Sequence, residues 1–308
     1  MLILTRRLLV FALLALGLPL ALTAQRTKAI LVVTAGSGDY LFACGGTLAN
    51  FIDEGFRVYV VQIGNDEKDS VDLGPAQTRL ANVEEAEKAA SMLGVTDMVN
   101  INDKSGELGV ISTNEMRNHI SIMVRHWKPE KIFIPDPYIN YEPDWDQFFV
   151  ARGAEETNYS NGGYSLPEAT KAGLRGHGMR ETYYYATYRP YRPGEGGHRA
   201  AKFMPVDITK NFNKKVAVIQ ALRNRNHRYA VHTKARLHMA GKPKTLLDEI
   251  NESSTRKLIR AFVRELAETI GRKHGFQYGE EFNYHGRAFG AGGELAPWIM
   301  ERAKPIPE

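Results

Sequence analysis

The sequence predicts an α/β domain with a Rossmann-like, three-layer architecture, a mainly parallel sheet and a C-terminal helical elaboration. Short apolar, β-branched segments alternate with longer segments whose apolar residues recur at helical spacing. That order favours parallel strands joined by right-handed helical crossovers. The length of 308 residues and a composition of 43% hydrophobic and 24% charged residues are typical of a globular protein. No linker-like stretch divides the chain, so one domain with an elaborated C-terminal part is expected.

Four strands are predicted in the first half of the chain. Each is a short apolar run of the kind that is buried on both faces of a sheet. They cover residues 29–34, 57–63, 97–101 and 131–136. The glycine-rich stretch "TAGSGDYLFACGGTLA" follows the first strand and opens a helix.

Helices are predicted between these strands from apolar residues three and four positions apart. The first helix ends at Gly55, the second covers residues 78–93, and the third carries Met116, Ile120, Met123 and Trp127. The spacing assigns one buried face of the second helix to Leu80, Val83, Ala86, Ala90 and Leu93.

The second half is less regular. Residues 153–200 are predicted to be rich in loops, and residues 206–209 lead into a long polar helix that runs to about Arg236. A last amphipathic helix carries Leu258, Phe262, Leu266 and Ile270, and "GFQYGEEF" is assigned to a tail. We therefore expect the α/β domain to cover residues 25–290 and a C-terminal tail to cover 291–308.

The N-terminal 24 residues have the pattern of a secretory signal. Arg6 and Arg7 precede an apolar run from Leu8 to Leu22, and the small residue Ala24 follows. The expected location is therefore outside the cytoplasm, periplasmic or secreted. An uncleaved anchor is the alternative, because Leu22 occupies a position that prefers a small residue; only through such an anchor is contact with a membrane expected.

Charge and cysteine content exclude several classes of protein. The net charge of +5 falls to +3 once Arg6 and Arg7 are set aside, and the remaining charges are dispersed, so a nucleic-acid partner is not expected. The single cysteine excludes an internal disulfide framework and a multi-cysteine zinc site. The oligomeric state is left open.

The glycine loop after the first strand lies where ligands bind in open parallel sheets. A dinucleotide fingerprint needs a third glycine at position 41, which is a leucine. A nucleotide site at Gly36, Ser37 and Gly38 is therefore the weakest hypothesis. On the motif alone we favour the simpler interpretation that the glycines permit a tight strand-to-helix turn.

The overall layout resembles the LmbE-like deacetylases, the GlcNAc-phosphatidylinositol de-N-acetylase (PIG-L) family. In that family the first strand runs into Ala-His-Pro-Asp-Asp-Glu and then a stretch ending in Gly-Gly-Thr, and "CGGTLA" is intact here. Further similar segments follow in order, including "EEAEKAASMLGV", "KPEKIFIPDP" and "VDITKNFNKKVAVIQAL". The resemblance covers about residues 29–285 with gaps. It implies an LmbE-like fold and chemistry on N-acetylated sugars or glycoconjugates.

The first family motif is altered at its functional positions. The resemblance places the first zinc ligand at Gly36, the general base at Gly38 and the second zinc ligand at Asp39, and the acidic end of the motif is Tyr40. Asp39 is therefore the only one of these three functional groups that is retained.

The later family motif, His-x-Asp-His, is altered as well. Its two histidine positions are Glu142 and Trp145, with Asp144 kept between them. Since Trp145 stands at the third zinc-ligand position, one of three ligands remains. Asp144 and Glu142 are the candidates for a catalytic role.

These losses predict a protein without a resident cofactor. A catalytic zinc uses three protein ligands and activates a bound water, and neither glycine nor tryptophan supplies a ligand atom. We therefore expect a non-catalytic or impaired relative that binds a small sugar or glycoconjugate. The alternative is an active metal-dependent N-deacetylase with a rebuilt site of Asp39, Glu142, Asp144 and Asp146; such oxygen ligands suit Mn, Ca or Mg better than Zn. The structural interpretation of these residues is that Asp146 caps a helix and Glu142 is a solvated loop residue.

Aromatic and basic residues between 180 and 199 are the second candidate binding feature. Tyr188, Arg189 and Arg192 are predicted to form the rim of a cleft, stacking on sugar rings and holding anionic groups. The tyrosines before them are expected to belong to a strand with alternate side chains buried. Arg79, one turn before Asn82 on the second helix, is expected to reach the same cleft, with a plain surface position as the alternative.

Overall fold

A seven-stranded sheet lies at the centre of the computed structural model. The structure describes residues 28–140, 142–161, 165–242, 246–286 and 301–302. The strand order is β3-β2-β1-β4-β5-β7-β6, and β7 runs antiparallel to both of its neighbours while the other six strands are parallel to one another. The strands are β1 (Ala29–Thr34), β2 (Arg57–Gly64), β3 (Asp97–Asp103), β4 (Lys131–Pro135), β5 (Glu181–Tyr185), β6 (Lys202–Asp207) and β7 (Gly279–Gly286).

Helices cover both faces of the sheet, so the predicted α/β three-layer fold is confirmed. Each face has its own core of buried apolar side chains, and alternate residues of β1 enter the two cores. The helices are α1 (Asp39–Asp53), α2 (Pro75–Leu93), α3 (Thr113–Trp127), α4 (Trp145–Ser160), α5 (Pro167–Lys171), α6 (Phe212–Ile219), α7 (Arg223–Met239) and α8 (Glu252–His274). None of the helices in the described residues is both long enough and apolar enough to span a membrane.

The expected buried face of α2 is wrong at one position. Leu80 is 68% exposed, whereas the polar residues Asn82 and Glu85 are buried. Spacing alone assigned Leu80 to the core, but α2 turns these two polar side chains toward the loop after β2 and toward α7.

The C-terminal part differs from the prediction in two ways. The single long helix expected to run to Arg236 is instead the end of β6, a short 3-10 turn (Thr209–Asn211), α6 and α7. The break between α6 and α7 is stabilised by Asn226, whose side-chain amide donates to the Ile219 carbonyl at 2.8 Å. The "GFQYGEEF" segment is not a tail, because β7 begins at Gly279 and inserts between β5 and β6. The expected signal at residues 1–24 and the expected tail at 291–308 lie outside the described residues, apart from 301–302.

The strand order places a binding crevice at the carboxyl ends of the neighbouring strands β1 and β4. From β1 the chain proceeds outward through β2 and β3, and it then returns to add β4 on the other side of β1. The loops that leave β1 and β4 therefore diverge at their carboxyl ends, which is where ligands bind in open α/β sheets. The first loop contains Gly36 and Asp39, and the second leads to Glu142 and Asp144.

Candidate functional site

A cavity of about 590 Å³ opens at this crevice. Its inner end is formed by the loops after β1 and β2 together with Asp144, which precedes α4. Its outer walls are formed by α7 and α8. The volume lies within the range of about 300–1,000 Å³ that is usual for small-molecule sites.

Arg225, at the start of α7, carries the positive charge of the inner end. Its Nη2 lies 2.6 Å from Oδ1 of Asp39, and its Nη1 lies 3.3 Å from Oδ2 of Asp69. Tyr188 donates its hydroxyl to the same Asp39 oxygen at 2.7 Å and also contacts the Arg225 guanidinium. The other Asp39 oxygen accepts the Gly36 N–H at 2.9 Å. Asp39 is 1% exposed, so its carboxylate is occupied on both oxygens within the protein.

The two loop glycines leave room for this guanidinium. A Cβ atom on Gly38 would lie 2.8 Å from Nε of Arg225, and a Cβ on Gly36 would lie 3.1 Å from Nη1 of Arg225 and 2.8 Å from Oδ1 of Asp66. Neither glycine has a positive φ. The glycines lie in the strand-to-helix turn as expected, but the turn does not require their conformational freedom; the close approach of Arg225 and Asp66 is what disfavours a side chain there.

Asp66 completes the inner end from the loop after β2. It accepts the Ser37 N–H at 2.9 Å and the Gln62 side-chain amide at 3.1 Å, and its own carbonyl accepts from Asn82 at 2.9 Å. Burial raises the pKa of Asp66 to about 7, although the charge of Arg225 acts in the opposite direction. Asp66 thus links the loop after β1 to the loop after β2.

Glu142 and Asp144 approach the same end from the β4 side. Oε1 of Glu142 accepts the Asp144 N–H at 3.0 Å, and Oδ1 of Asp144 accepts the Asp146 N–H at 3.0 Å as the N-cap of α4. Burial, together with the nearby carboxylates, raises the pKa of Glu142 to about 7. Partial enclosure, with the charges of Asp39 and Asp146, raises the pKa of Asp144 to about 6, although much of this residue remains exposed. Both carboxyl groups therefore take up protons close to neutral pH.

A row of aromatic side chains forms one wall of the cavity. The ring of Phe42 lies 5.4 Å from that of Tyr188 and 5.6 Å from that of Phe262, and Phe262 lies 5.5 Å from Tyr229. We call these four residues the aromatic wall. It leads from the Asp39–Arg225 pair to the outer part of the cavity.

The outer part of the cavity is basic. Arg228, His232 and Arg236 follow one another at intervals of four residues on α7 and face the cavity, and Lys68 faces it from the loop after β2. Arg228 pairs with Asp69 at 3.1 Å. No carboxylate of the described residues lies within ion-pair distance of Lys68 or Arg236, so their charges are available to a ligand.

Comparison with known proteins finds a family similarity in the first half of the chain. The model of GlcNAc-PI de-N-acetylase, PIG-L, matches residues 31–149, from β1 into α4. This segment of the chain is therefore similar to the PIG-L family. The resemblance inferred from "CGGTLA" and its neighbouring segments is thereby confirmed.

Two similar proteins have different named activities. The chain is 24% identical over 221 residues to 4-oxalmesaconate hydratase of Pseudomonas putida, covering 68% of this chain and 79% of that protein. It is 25% identical over 170 residues to diacetylchitobiose deacetylase of Thermococcus kodakarensis, covering 53% of this chain and 61% of that protein. The chain therefore spans about three fifths of the length of that deacetylase.

Solved structures show the same fold. The N,N'-diacetylchitobiose deacetylase of Pyrococcus horikoshii superposes with a TM-score of 0.66 at 22% identity, covering 84% of each chain. GalB, the 4-carboxy-2-hydroxymuconate hydratase of Pseudomonas putida KT2440, superposes with a TM-score of 0.57 at 20% identity, covering 87% of this chain and 99% of that one. At these identities the superpositions establish the fold, and the site must be interpreted from its own residues.

The inner end does not fit the zinc ion that the PIG-L resemblance implies. Gly36 and Gly38 have no side-chain ligand atom, and Trp145 is 66% exposed with its ring against Phe148. Asp39 is held by Arg225. Across the part of the chain that the structure describes, no group of three or more His, Cys, Asp or Glu side chains is placed to hold a metal ion.

The rebuilt carboxylate site expected as an alternative is not assembled as predicted. Asp146 accepts the backbone N–H groups of Gly106 and Leu108, so it caps the 3-10 turn Leu108–Val110 rather than α4. Asp144 takes the predicted capping role at α4 instead.

The structure places the residues predicted to bind substrate in different environments. Asp39 and Tyr188 line the cavity as expected. Arg189 pairs through both terminal nitrogens with Glu195, at 2.8 and 2.7 Å, and this pair lowers the pKa of Glu195 to about 2. Arg192 is exposed and Arg79 is partly exposed on α2, and neither lines the cavity.

The tyrosines before this rim are structural. Tyr183, Tyr184 and Tyr185 of β5 are all buried, so the strand is buried on both faces rather than on alternate ones. His177 and His198, which lie on either side of this strand in the sequence, do not line the cavity. His177 contacts the Pro129 carbonyl, and His198 lies against the ring of His285.

Sequence reasoning missed Asp66, Asp69 and Arg225. The acidic residues had a detectable signal, because "GNDEKD" follows β2 and must reach the same edge of the sheet as the loop after β1. Arg225 had a weaker signal in the basic "RNRNHR" run, whose helix lacks an apolar stripe.

Proposed function

We propose that this PIG-L-like protein binds a glycan or glycoconjugate in the cavity and does not perform zinc-dependent N-deacetylation. The observation that carries the proposal is the aromatic wall, which leads directly to an Asp39–Arg225 pair at the position of the family's catalytic chemistry. Aromatic faces stack on the apolar faces of sugar rings, and the carboxylates and guanidinium beside them supply hydrogen-bonding partners for hydroxyl and acetamido groups. The relative named diacetylchitobiose deacetylase motivates an N-acetylated sugar as the first ligand to test.

The basic outer part of the cavity favours a ligand that also carries an anionic group. Lys68 and Arg236 face the cavity without an ion-pair partner among the described residues. A guanidinium binds a carboxylate or phosphate with paired hydrogen bonds. An acidic sugar or a sugar phosphate would place its ring on Tyr229 and its anionic group near Arg236.

The proposal is tested by binding and turnover measurements on one purified sample. Calorimetric titration with N-acetylated oligosaccharides, with and without acidic substituents, is expected to show binding that Tyr229→Ala weakens by about 3- to 10-fold. Phe203→Ala is the matched control, because Phe203 is also an exposed aromatic residue but lies outside the cavity. Arg236→Ala should weaken only the acidic ligands. Release of acetate at enzymatic rates with added zinc, or equal losses for Tyr229→Ala and Phe203→Ala, would contradict the proposal.

A second candidate, acid–base catalysis, is favoured by the carboxyl groups at the inner end. Glu142 and Asp144 have pKa values raised to about 7 and about 6, which suits proton transfer near neutral pH. This candidate predicts that the ligand bound in the cavity is hydrolysed without added metal. Glu142→Gln and Asp144→Asn should each reduce the rate of this hydrolysis by about 10²-fold or more. Hydrolysis that requires Mn²⁺ would instead support the rebuilt-carboxylate alternative.

We also propose that the protein is exported through its N-terminal segment. Arg6, Arg7 and the apolar run to Leu22 support this proposal. Mass spectrometry of the protein recovered outside the cytoplasm should give a mature N-terminus at Gln25. Retention of the full chain in the membrane fraction would favour the anchor.

A further inference from the structure

We propose that Arg225 is the resident cation of this site: its guanidinium fills the space above Gly36 and Gly38 and holds the inner carboxylates, so that a divalent metal can enter only when Arg225 is removed. The inference concerns the occupant of the inner end and does not depend on which ligand the outer cavity binds. Three kinds of observation support it: the contacts of Arg225, the space that Gly36 and Gly38 leave for its guanidinium, and the charge of the carboxylates around it.

The contacts fix the guanidinium between two acidic loops. Arg225 reaches Asp39 at 2.6 Å on the β1 side and Asp69 at 3.3 Å on the β2 side. Only 18% of its side chain is exposed. A cation in this position bridges the loops after β1 and β2, as a metal ion with one ligand from each loop would do.

The backbone of α7 is held so that Arg225 points inward. The Asn224 N–H donates to Glu85 at 3.0 Å, and its side chain donates to Asn82 at 3.2 Å. On the other side of Arg225, Asn226 binds the end of α6. Buried polar residues of α2 and the α6 terminus thus anchor the first turn of α7 on both sides of Arg225.

The space argument concerns glycine. Gly38, the N-cap of α1, has φ −85° and ψ −25°, a conformation that any L-residue adopts without strain. A Cβ there would lie 2.8, 2.9 and 3.1 Å from Nε, Cζ and Cδ of Arg225, and a Cβ on Gly36 would lie 2.8 Å from Oδ1 of Asp66 and 3.1 Å from Nη1 of Arg225. A side chain at Gly38 would therefore displace the guanidinium, and one at Gly36 would displace both Asp66 and the guanidinium.

A divalent ion and the Arg225 guanidinium would compete for the same negative charge. Asp39 and Asp69 pair with Arg225 and Asp66 lies beside Gly36; as placed they do not form a set of metal ligands, but carboxylate oxygens are of the kind that Mn²⁺ accepts. A divalent ion placed among them would lie beside the guanidinium and would be repelled by it. Removal of Arg225 leaves both the space and the negative charge for the ion.

The first test is a double-mutant cycle between Gly38→Ala and Arg225→Ala, measured by thermal unfolding. In the wild-type background Gly38→Ala is expected to lower the unfolding temperature, because the new methyl group meets Arg225. In the Arg225→Ala background the same substitution is expected to lower it by clearly less, because the clash is gone. Gly74→Ala serves as the control, since its Cβ meets only the Gln77 side chain at 4.0 Å. Equal effects of Gly38→Ala in both backgrounds would overturn the inference.

The second test is titration with Mn²⁺, followed by electron paramagnetic resonance of the free ion. Arg225→Ala is expected to bind Mn²⁺ at least about tenfold more tightly than the wild type, since the repulsion is removed. Adding Asp39→Asn should abolish this gain. Wild-type binding as tight as that of Arg225→Ala would show that the guanidinium does not exclude the ion and would overturn the inference.

The double-mutant cycle can also be measured in a second background, in which Arg225 and its partner Asp39 are both replaced. Should Arg225→Ala alone be too unstable to purify, Gly38→Ala is measured in Arg225→Ala/Asp39→Asn. The same reduction in the effect of Gly38→Ala is expected there. Its absence would count against the proposal as before.

Discussion

Two buried ion pairs in this protein have similar lengths and different roles. Lys215 and Glu280 lie 2.6 Å apart with side chains 3% and 1% exposed, and Arg225 and Asp39 also lie 2.6 Å apart. The first pair joins α6 to β7 inside the protein. The second faces the cavity. The comparison distinguishes an ion pair that joins elements of the fold from an ion pair that lines the site.

The interior pair binds the backbone of the "CGGT" segment. The two carboxylate oxygens of Glu280 accept the backbone N–H groups of Gly46 and Thr47 at 2.9 and 2.7 Å, and Lys215 donates to the Phe42 carbonyl at 2.6 Å. These contacts tie α1, α6 and β7 together.

The cavity pair has fewer constraints of this kind. Asp39 and Arg225 contact loops and a tyrosine hydroxyl rather than the interior of a helix. Because one side of the pair is open to the cavity, the residues there can change while the fold is kept.

Removing one member of the interior pair is expected to have the largest effect. Lys215→Met leaves the Glu280 carboxylate buried without its cation, which should lower the free energy of unfolding by about 3–5 kcal/mol. Urea denaturation followed by tryptophan fluorescence measures the loss. Lys214→Met, at the adjacent and less buried position, should change stability by no more than about 0.5 kcal/mol. A loss below about 1 kcal/mol for Lys215→Met would remove the distinction between the two pairs.

The glycines of "CGGT" provide a matched comparison of intermediate size. A Cβ on Gly46 would lie 2.7–2.9 Å from Cβ, Cγ2 and Cδ1 of Ile208, whereas a Cβ on Gly45 meets Cγ of Lys215 at 3.5 Å. Gly46→Ala should therefore lower the free energy of unfolding by about 1–3 kcal/mol through overpacking.

Gly45→Ala is the control for this substitution. It lies in the same helix and should be neutral or stabilising by up to about 1 kcal/mol, because alanine is the better helix former. The same urea titration distinguishes the two. Similar outcomes for both substitutions would mean that Ile208 does not fix the position of α1.

The fold could be predicted wherever local apolar pattern determines the element. The first four strands and the helices between them have that pattern, and the structure agrees with the prediction. The strand β7 was missed because Glu280 and Glu281 are buried within it and make it look like a polar loop. Their partners, Lys215 for Glu280 and Lys273 with His274 for Glu281, come from helices. A sequence does not show which cation will neutralise a buried carboxylate.

The sequence indicated where the site lies in the fold, but it did not indicate which side chains contact one another there. Strand order and the family pattern brought Asp39, Asp144 and Tyr188 to one cavity. Arg225 is 186 residues from its partner Asp39, and no spacing rule joins residues so far apart. Arg189 was misjudged for the same reason, because its partner Glu195 could be recognised only from the folded loop.

The pH dependence of stability tests the carboxyl group of Glu142, beside the cavity. The pKa of Glu142 is raised from 4.5 to about 7 in the folded protein, so the folded state binds this proton more tightly than the unfolded state. Its contribution therefore favours folding below about pH 4.5, declines as the pH rises to about 7, and is constant above that. Glu142→Gln should flatten this decline in urea midpoints measured between pH 4 and 8. Glu107→Gln is the control, because Lys104 lowers the pKa of Glu107 from 4.5; its contribution changes only below about pH 4.5, so its removal should leave the decline above that pH unchanged. An unchanged slope for Glu142→Gln would mean that this carboxyl is solvated, and the acid–base candidate would lose its support.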